Sequence, residues 1–215
     1  MPTEKDDVKQ NASYASNEGL VVWLTGLSGA GKTTLARSLS AQLKTAGFLV
    51  ETLDGDEVRE NLSRGLGFSQ EDRDTNVRRI GFVARLLARN RVVVLGAAIS
   101  PYQRSRDDVR HSIESDGIRF LEVFVRCPLQ TLIQRDVKGL YLRALLGEIE
   151  HFTGISDTYE EPLSPDVTVD SSTETVEEST TRILSHILNS GPVYDDATRI
   201  EAFAPPQRGI GHEQN

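Results

Sequence analysis

The run Gly26-Leu27-Ser28-Gly29-Ala30-Gly31-Lys32-Thr33 has the spacing G-x-x-x-x-G-K-T, the arrangement that cradles the phosphates of a nucleotide. Glycines let such a turn approach phosphate closely, and consecutive backbone N–H groups with the N-terminus of a following helix hold its oxygens. Lys32 would then reach the β and γ phosphates, the Thr33 hydroxyl would ligate magnesium, and Thr34 would meet phosphate through its backbone. Further on, Leu53-Asp54-Gly55-Asp56 supplies two carboxylates. A carboxylate beside such a loop orients an alcohol in line with the γ phosphate or accepts its proton. By itself Asp-Gly-Asp is an ordinary turn signal. One β–α unit after a phosphate loop, it becomes a catalytic candidate, with Asp56 as the alcohol-orienting base and Asp54 supporting magnesium. No Asn-Lys-x-Asp guanine-reading segment occurs in the chain, which favours ATP as the donor.

These groups need a scaffold, and the apolar pattern supplies one. Leu-Val-Val-Trp-Leu-Thr at 20–25 is a compact strand that runs into the glycine loop, and Leu35, Leu39 and Leu43 recur four apart in a helix expected over 32–46. A second strand is expected at 48–53, a long helix at 69–90, a buried strand at 91–98 and a helix at 102–115 after Pro101. A strand at 119–125, a helix from 129 to 135 after Pro128, a short fifth strand at 166–169 and a closing helix at 173–188 complete the alternation. Strands separated by helices imply a mostly parallel five-stranded sheet with helices on both faces, an α/β fold of the P-loop NTPase kind, with ligands at the carboxyl ends of its strands. Residues 1–18 are polar and lack apolar periodicity, so they read as a tail, as do residues 192–215; the folded domain is expected over 19–191.

Composition narrows the function classes. The chain has 215 residues with 38% hydrophobic and 26% charged side chains, enough to bury one core unaided. A formal charge of -8 argues against nonspecific nucleic-acid binding. The charge is uneven, however: from 54 to 110 there are eleven Arg against nine acids, whereas from 144 to 215 there are three Arg against fourteen. A locally basic middle suits a small polyanionic ligand. One cysteine, Cys127, leaves no intramolecular disulfide and fits a reducing cytoplasm. The apolar runs are too short to span a bilayer and the first residues lack a signal-peptide core, so a cytoplasmic protein with no membrane partner is expected. His111, His151, His186 and His212 match no metal-ligand spacing.

Several segments, taken in order, resemble the adenylylsulfate kinases, also called APS kinases. They are Gly-Leu-Ser-Gly-Ala-Gly-Lys-Thr-Thr (26–34), Leu-Asp-Gly-Asp-x-Val-Arg (53–59), Leu-Gly-Phe-Ser-x-x-Asp-Arg-x-x-Asn-x-Arg-Arg (66–79), Ile-Ser-Pro-Tyr (99–102), Lys-Gly-Leu-Tyr (138–141) and Phe-Thr-Gly-Ile (152–155). The glycine loop is generic, but the later segments in this order are far more specific, and together they cover 20 to about 190. The resemblance implies magnesium-dependent transfer of the γ phosphoryl group of ATP to the 3'-hydroxyl of adenosine 5'-phosphosulfate (APS), in sulfate assimilation. It implies APS contacts from Asp56, Arg59, Arg73, Asn76, Ile99, Ser100, Lys138 and Leu140, with Phe68 and Phe152 sandwiching the adenine. Guanidinium groups suit the phosphosulfate oxygens and aromatic faces suit the ring. Arg135 resembles the family's adenine-stacking arginine on the ATP side, and 136–153 its lid, which would exclude water once both nucleotides are bound.

The family has traditionally been assigned a phosphoserine at the position of Ser100, but no His lies nearby in sequence to activate that hydroxyl, so direct in-line transfer is the better expectation. Three other roles for Ser100 are a hydrogen bond to the acceptor, phosphorylation by a side reaction and a plain helix cap before Pro101. Val137, Leu142 and Gln103 depart from the usual pattern, at a common proline, a frequent basic residue and a frequent arginine respectively. The resemblance also implies a homodimer and a functional coupling to ATP sulfurylase. Two alternatives stand beside it: another small-molecule P-loop kinase, of the nucleoside, gluconate or shikimate type, and a nucleotide-binding regulatory module of an ATP sulfurylase assembly.

Overall fold

The structure is a computed structural model, and it describes residues 19–189. The tails expected at 1–18 and 192–215 lie outside the described residues. Five strands, β1 (Leu20–Thr25), β2 (Val50–Asp54), β3 (Val93–Ala97), β4 (Arg119–Arg126) and β5 (Val167–Asp170), form one sheet in the order β2-β3-β1-β4-β5. Every adjacent pair is parallel. All six residues of β1 are buried, as a central parallel strand covered on both faces requires. Alternate side chains leave it for two separate cores. Val22 and Leu24 pack with Leu35, Leu39 and Leu43 of α1 (Lys32–Thr45) and with Ile183, Leu184 and Ile187 of α7 (Val176–Asn189). Val21 and Trp23 pack with Val77, Ile80 and Ala84 of α3 (Gln70–Ala88) and with Val109 and Ile113 of α4 (Gln103–Glu114).

Register decides what meets at the carboxyl edge. Leu24 stands opposite Ala97 on one side and Val123 on the other, and Asp54 stands opposite Ala97. The ends of β1, β2 and β3 therefore lie side by side, and the loops leaving them face one opening. α3 starts where its sequence says it should: Ser69 is extended and accepts a hydrogen bond from the Asp72 amide at 3.2 Å, with Glu71 and Asp72 in the first turn. Its buried face runs through Arg73, Val77, Ile80 and Ala84. The close crossing of α3 on α4 depends on Gly81, where a Cβ would come within 2.7 Å of a Val109 methyl.

Three local features differ from expectation. A short helix α2 (Gly55–Asn61) follows β2 directly, where the Asp-Gly-Asp sequence reads as a turn; Val58 is its one buried apolar residue, too little for a helical period to show. A second short helix, α6 (Leu140–Leu145), lies within 136–153, after α5 (Leu129–Arg135). Its amides at Tyr141 and Leu142 donate to the two carboxylate oxygens of Asp136, at 2.9 and 3.0 Å, an anchorage from outside the helix. Those hydrogen bonds hold the Asp136 carboxyl below its ordinary range. Finally, α7 begins at 176 rather than 173, because Thr175 and Glu178 form a reciprocal capping box there: the Thr175 amide donates to Glu178 at 2.8 Å and the Glu178 amide to the Thr175 hydroxyl at 3.2 Å.

Candidate active site

A cleft of about 280 Å³ opens at the carboxyl edge of the sheet. One wall is the 26–34 loop. Gly26, at φ 149°, is where β1 turns: a Cβ there would lie 2.4 Å from the carbonyl oxygen of Val125, so no other residue fits. Gly31, at φ 100°, ends the loop in a left-handed conformation and caps α1, whose first turn carries Lys32, Thr33 and Thr34. The Lys32 ammonium donates to the carbonyls of Gly26 and Leu27, both at 2.8 Å, and so curls back over the loop whose ligand it would hold. Ser28, Gly29, Gly31, Lys32, Thr33 and Thr34 line the cleft, while Ala30 is buried in the core and holds the turn down.

Asp54 ends β2 in the same cleft, with its Oδ2 atom withdrawn from solvent. Asp56 occupies the second position of α2, and its carboxylate lies outside the described side chains. Arg59, Arg73, Asn76, Ile99, Ser100 and Lys138 line the same cleft. Residues spread over 110 positions of sequence thus share one opening with the phosphate loop.

The two aromatic residues expected around a base are placed differently from each other. Phe68 is about half exposed, and the guanidinium carbons of Arg59 and Arg73 lie 4.4 and 5.6 Å from its ring centroid. Phe152 packs against the core with its ring edge-on to Tyr141 at 5.1 Å. Neither lines the cleft wall; both flank it through Arg73, which donates from Nε to the Phe68 carbonyl at 2.9 Å and from Nη2 to the His151 carbonyl. Arg135 is bonded to the Ser171 carbonyl at 3.1 Å and to the Cys127 sulfur at 3.8 Å. Leu140, expected beside the acceptor, instead lines a small recess with Arg135, Ser28 and Gly29, which Lys138 also borders. The Tyr141 hydroxyl donates to the Ser28 carbonyl at 2.8 Å, tying α6 to the phosphate loop. Burial pushes that hydroxyl well above the usual phenol range, so it remains a donor.

Ser100 is buried to 2% exposure. Its Oγ accepts from the Trp23 indole at 3.1 Å and donates to the Thr25 hydroxyl at 3.0 Å. Thr25 in turn donates to the Ile99 carbonyl at 2.7 Å. The hydroxyl is therefore a tie within the loop, and the plain helix-cap reading fails: the residue flanking α4 is Tyr102, with no side-chain cap bond. Ser100 holds φ 42°, a conformation unusual outside glycine, asparagine and aspartate.

What over-determines that conformation was not visible among the motifs. Arg106, 1% exposed, donates to the Ser100 carbonyl at 2.7 Å, to Glu122 at 2.9 Å, to the Gln103 side chain at 2.7 Å and to the Glu160 carbonyl at 2.8 Å. Burial pushes the Glu122 carboxyl up, against the opposing pull of Arg106 and Arg110. Gln103, a departure from the family pattern, is an acceptor here; an arginine at that position has no atom to receive the Arg106 N–H. Tyr159 shares a hydrogen bond with Thr25 at 3.0 Å, and burial pushes its hydroxyl up to about 12. One signal for Arg106 existed: it shares the helical spacing of Val109 and Ile113, an apolar face where a charge must find partners.

Known proteins resemble this chain in sequence and in fold. The family model described as adenylylsulphate kinase matches residues 18–170. The adenylyl-sulfate kinase of Myxococcus xanthus is 59% identical over 173 residues, covering 80% of this chain and 93% of its own. A protein of Sorangium cellulosum named "Probable bifunctional SAT/APS kinase 2" is 57% identical over 175 residues, 81% of this chain and 29% of the longer relative. Among solved structures, the Mycobacterium tuberculosis APS kinase in complex with AMPPNP and APS matches with a TM-score of 0.77 and 41% identity, over 80% of this chain and 99% of that one.

Proposed function

The chain belongs to the adenylylsulphate kinase family, and we propose how its own residues carry out that family's reaction, the ATP-dependent phosphorylation of the 3'-hydroxyl of APS to 3'-phosphoadenosine 5'-phosphosulfate and ADP. The observation that carries the reading is the shared cleft: the phosphate loop, Arg59, Arg73 and the carboxylate-bearing Asp54 all line one opening. ATP lies with its phosphates on 28–34 and its adenine toward Arg135. APS lies opposite, its phosphosulfate met by Arg59, Arg73 and Lys138 and its adenine held toward Phe68 and Phe152. Asp56 orients the 3'-hydroxyl and takes up its proton as the oxygen bonds to the γ phosphorus and the bond to the β–γ bridging oxygen breaks, releasing ADP.

The donor atoms at Thr33 and Asp54, a hydroxyl and a carboxylate, are hard oxygens of the kind magnesium selects. Bound there, magnesium would offset charge developing on the transferred group. Lys32, now folded onto Gly26 and Leu27, exchanges those carbonyls for phosphate oxygens. The segment 136–153 acts as a lid through α6, whose anchor on Ser28 makes it sensitive to the loop beneath.

Ser100 serves as a tie rather than a covalent acceptor, since its Oγ is buried and engaged with Trp23 and Thr25. A regulatory module lacking catalysis is disfavoured by the presence of Lys32, Thr33 and Asp54 together. Similarity to the bifunctional relative supports functional coupling to a sulfurylase. A homodimer and a cytoplasmic location complete the reading; no helix among the described residues is long and apolar enough to cross a membrane. The test is Asp56→Asn. It should lower kcat by roughly 10²–10⁴-fold with the apparent affinities for both nucleotides nearly unchanged. Unchanged kcat would remove Asp56 from the mechanism.

A further inference from the structure

Three segments reach the acceptor side from different parts of the chain: α3, the loop 99–102, and the stretch 151–157. One carboxylate touches all of them. Asp157 lies 3.4 Å from Nε of Arg73 and accepts hydrogen bonds from the Tyr102 hydroxyl at 3.1 and 3.3 Å. Its own backbone carbonyl receives the Gly154 amide at 2.8 Å and its amide donates to the Phe152 carbonyl at 3.1 Å, so the turn that presents Phe152 is closed by the same residue. Arg73, 6% exposed, completes the circuit by donating to the carbonyls of Phe68 and His151.

We propose that Asp157 is a positioning residue for the acceptor nucleotide, fixing Arg73 against the cleft and holding the Phe68 and Phe152 segments at the separation that admits a base. This rests on the reading of the cleft given above. Buried guanidinium groups need a counter-charge to remain in place. Desolvation lowers the Arg73 pKa, and the Asp157 charge opposes it. Tyr102 gives the carboxylate its direction: burial and the Asp157 charge together raise the phenol, which stays a donor. Asp157 itself is not among the residues of the cleft wall, so its influence on the acceptor passes through Arg73 and the two backbone segments. The hydrogen bonds and ion pair that Asp157, Arg73 and Tyr102 make here run to Phe68, α3, the loop 99–102 and the stretch 151–157, and none of these runs to 26–34. A defect at Asp157 should therefore be read in APS and not in ATP.

The experiment is steady-state kinetics of the full chain, varying APS at saturating ATP and then the reverse, for the wild type, Asp157→Asn and Tyr102→Phe. Loss of a charged hydrogen bond predicts that Asp157→Asn raises KM for APS by about 10-fold or more, and Tyr102→Phe by about 2–5-fold, with KM for ATP within about 2-fold of wild type. The double variant should lie closer to Asp157→Asn than to the product of the two, because both remove one network. Should Asp157→Asn fail to fold, Tyr102→Phe decides alone. Unchanged KM for APS in the folded variants, or parallel rises for both nucleotides, overturns the proposal. Wild-type enzyme that releases no APS-dependent ADP would instead overturn the underlying reading of the cleft.

Discussion

On the donor side of the cleft, one continuous stretch, 26–34, supplies backbone amides, an ammonium and a hydroxyl, and the tight turn at Gly26 fixes their geometry. On the acceptor side no stretch is sufficient. Arg59 and Arg73 come from two helices, Ser100 from a loop after β3, and the residues that hold them in place, Arg106, Glu122, Asp157 and Tyr159, come from elsewhere again. The donor side is built from backbone and local sequence, the acceptor side from buried side-chain networks. Phosphate is recognised by a structure many chains can make, whereas a particular nucleotide acceptor demands long-range agreement among groups that have no other reason to meet.

Substitutions can break that contrast. The largest effect on folding is expected on the acceptor side: Arg106→Met leaves the Glu122 carboxylate with Arg110 alone, at 3.7 Å, and should cost about 3 kcal/mol, read by denaturant unfolding. On the donor side Lys32→Ala should leave stability almost unchanged while kcat falls by roughly 10²–10³-fold, the loss typical of one electrostatic group aimed at a transition state. If Arg106→Met were silent in stability and Lys32→Ala damaging to it, the assignment of the two regions would be reversed.

Two smaller effects sharpen the boundary. Tyr159 has its hydroxyl raised to about 12, so between about pH 10, where unfolded tyrosines ionise, and that value the unfolded state loses protons the native state keeps. Stability should decline as pH rises through this window, and Tyr159→Phe should flatten the decline in thermal midpoints measured against pH. Smallest is Asp136, whose carboxyl is depressed by amides at the start of α6. Its contribution is present above the unfolded value of about 3.9 and disappears as pH falls through the lower folded value. Asp136→Asn should loosen α6, seen as faster amide exchange at Tyr141 and Leu142, with little change in global unfolding.

The same contrast explains what could be read from sequence. β1, the loop and α1 are legible to within a residue, because each is specified locally by an apolar run, a glycine turn and a four-residue leucine period. The five strands and the parallel character of their sheet follow from the alternation, whereas the order β2-β3-β1-β4-β5 is set by the tertiary packing. The short helices α2 and α6 escape, since fewer than two turns carry no clear period, and α6 is anchored by Asp136, outside its own span. Lys32, Asp54, Arg59, Arg73, Ser100 and Lys138 do converge on one cleft. Thr25, Arg106, Asp157 and Tyr159 escape the motifs because each reaches at least one partner 54 to 134 positions away, a separation that no motif records. Leu140, which the resemblance implies beside the acceptor, follows the turn at Gly139, φ 65°, and starts the helix whose Tyr141 bonds Ser28.

The most direct test of the central claim, that donor and acceptor nucleotides share this cleft with phosphoryl transfer between them, is product analysis. Purified protein with magnesium, ATP and APS should yield ADP and the 3'-phosphorylated nucleotide in equal amounts by chromatography and mass spectrometry. ADP formed at the same rate without APS, or phosphate released in place of the 3'-phosphorylated product, would contradict it.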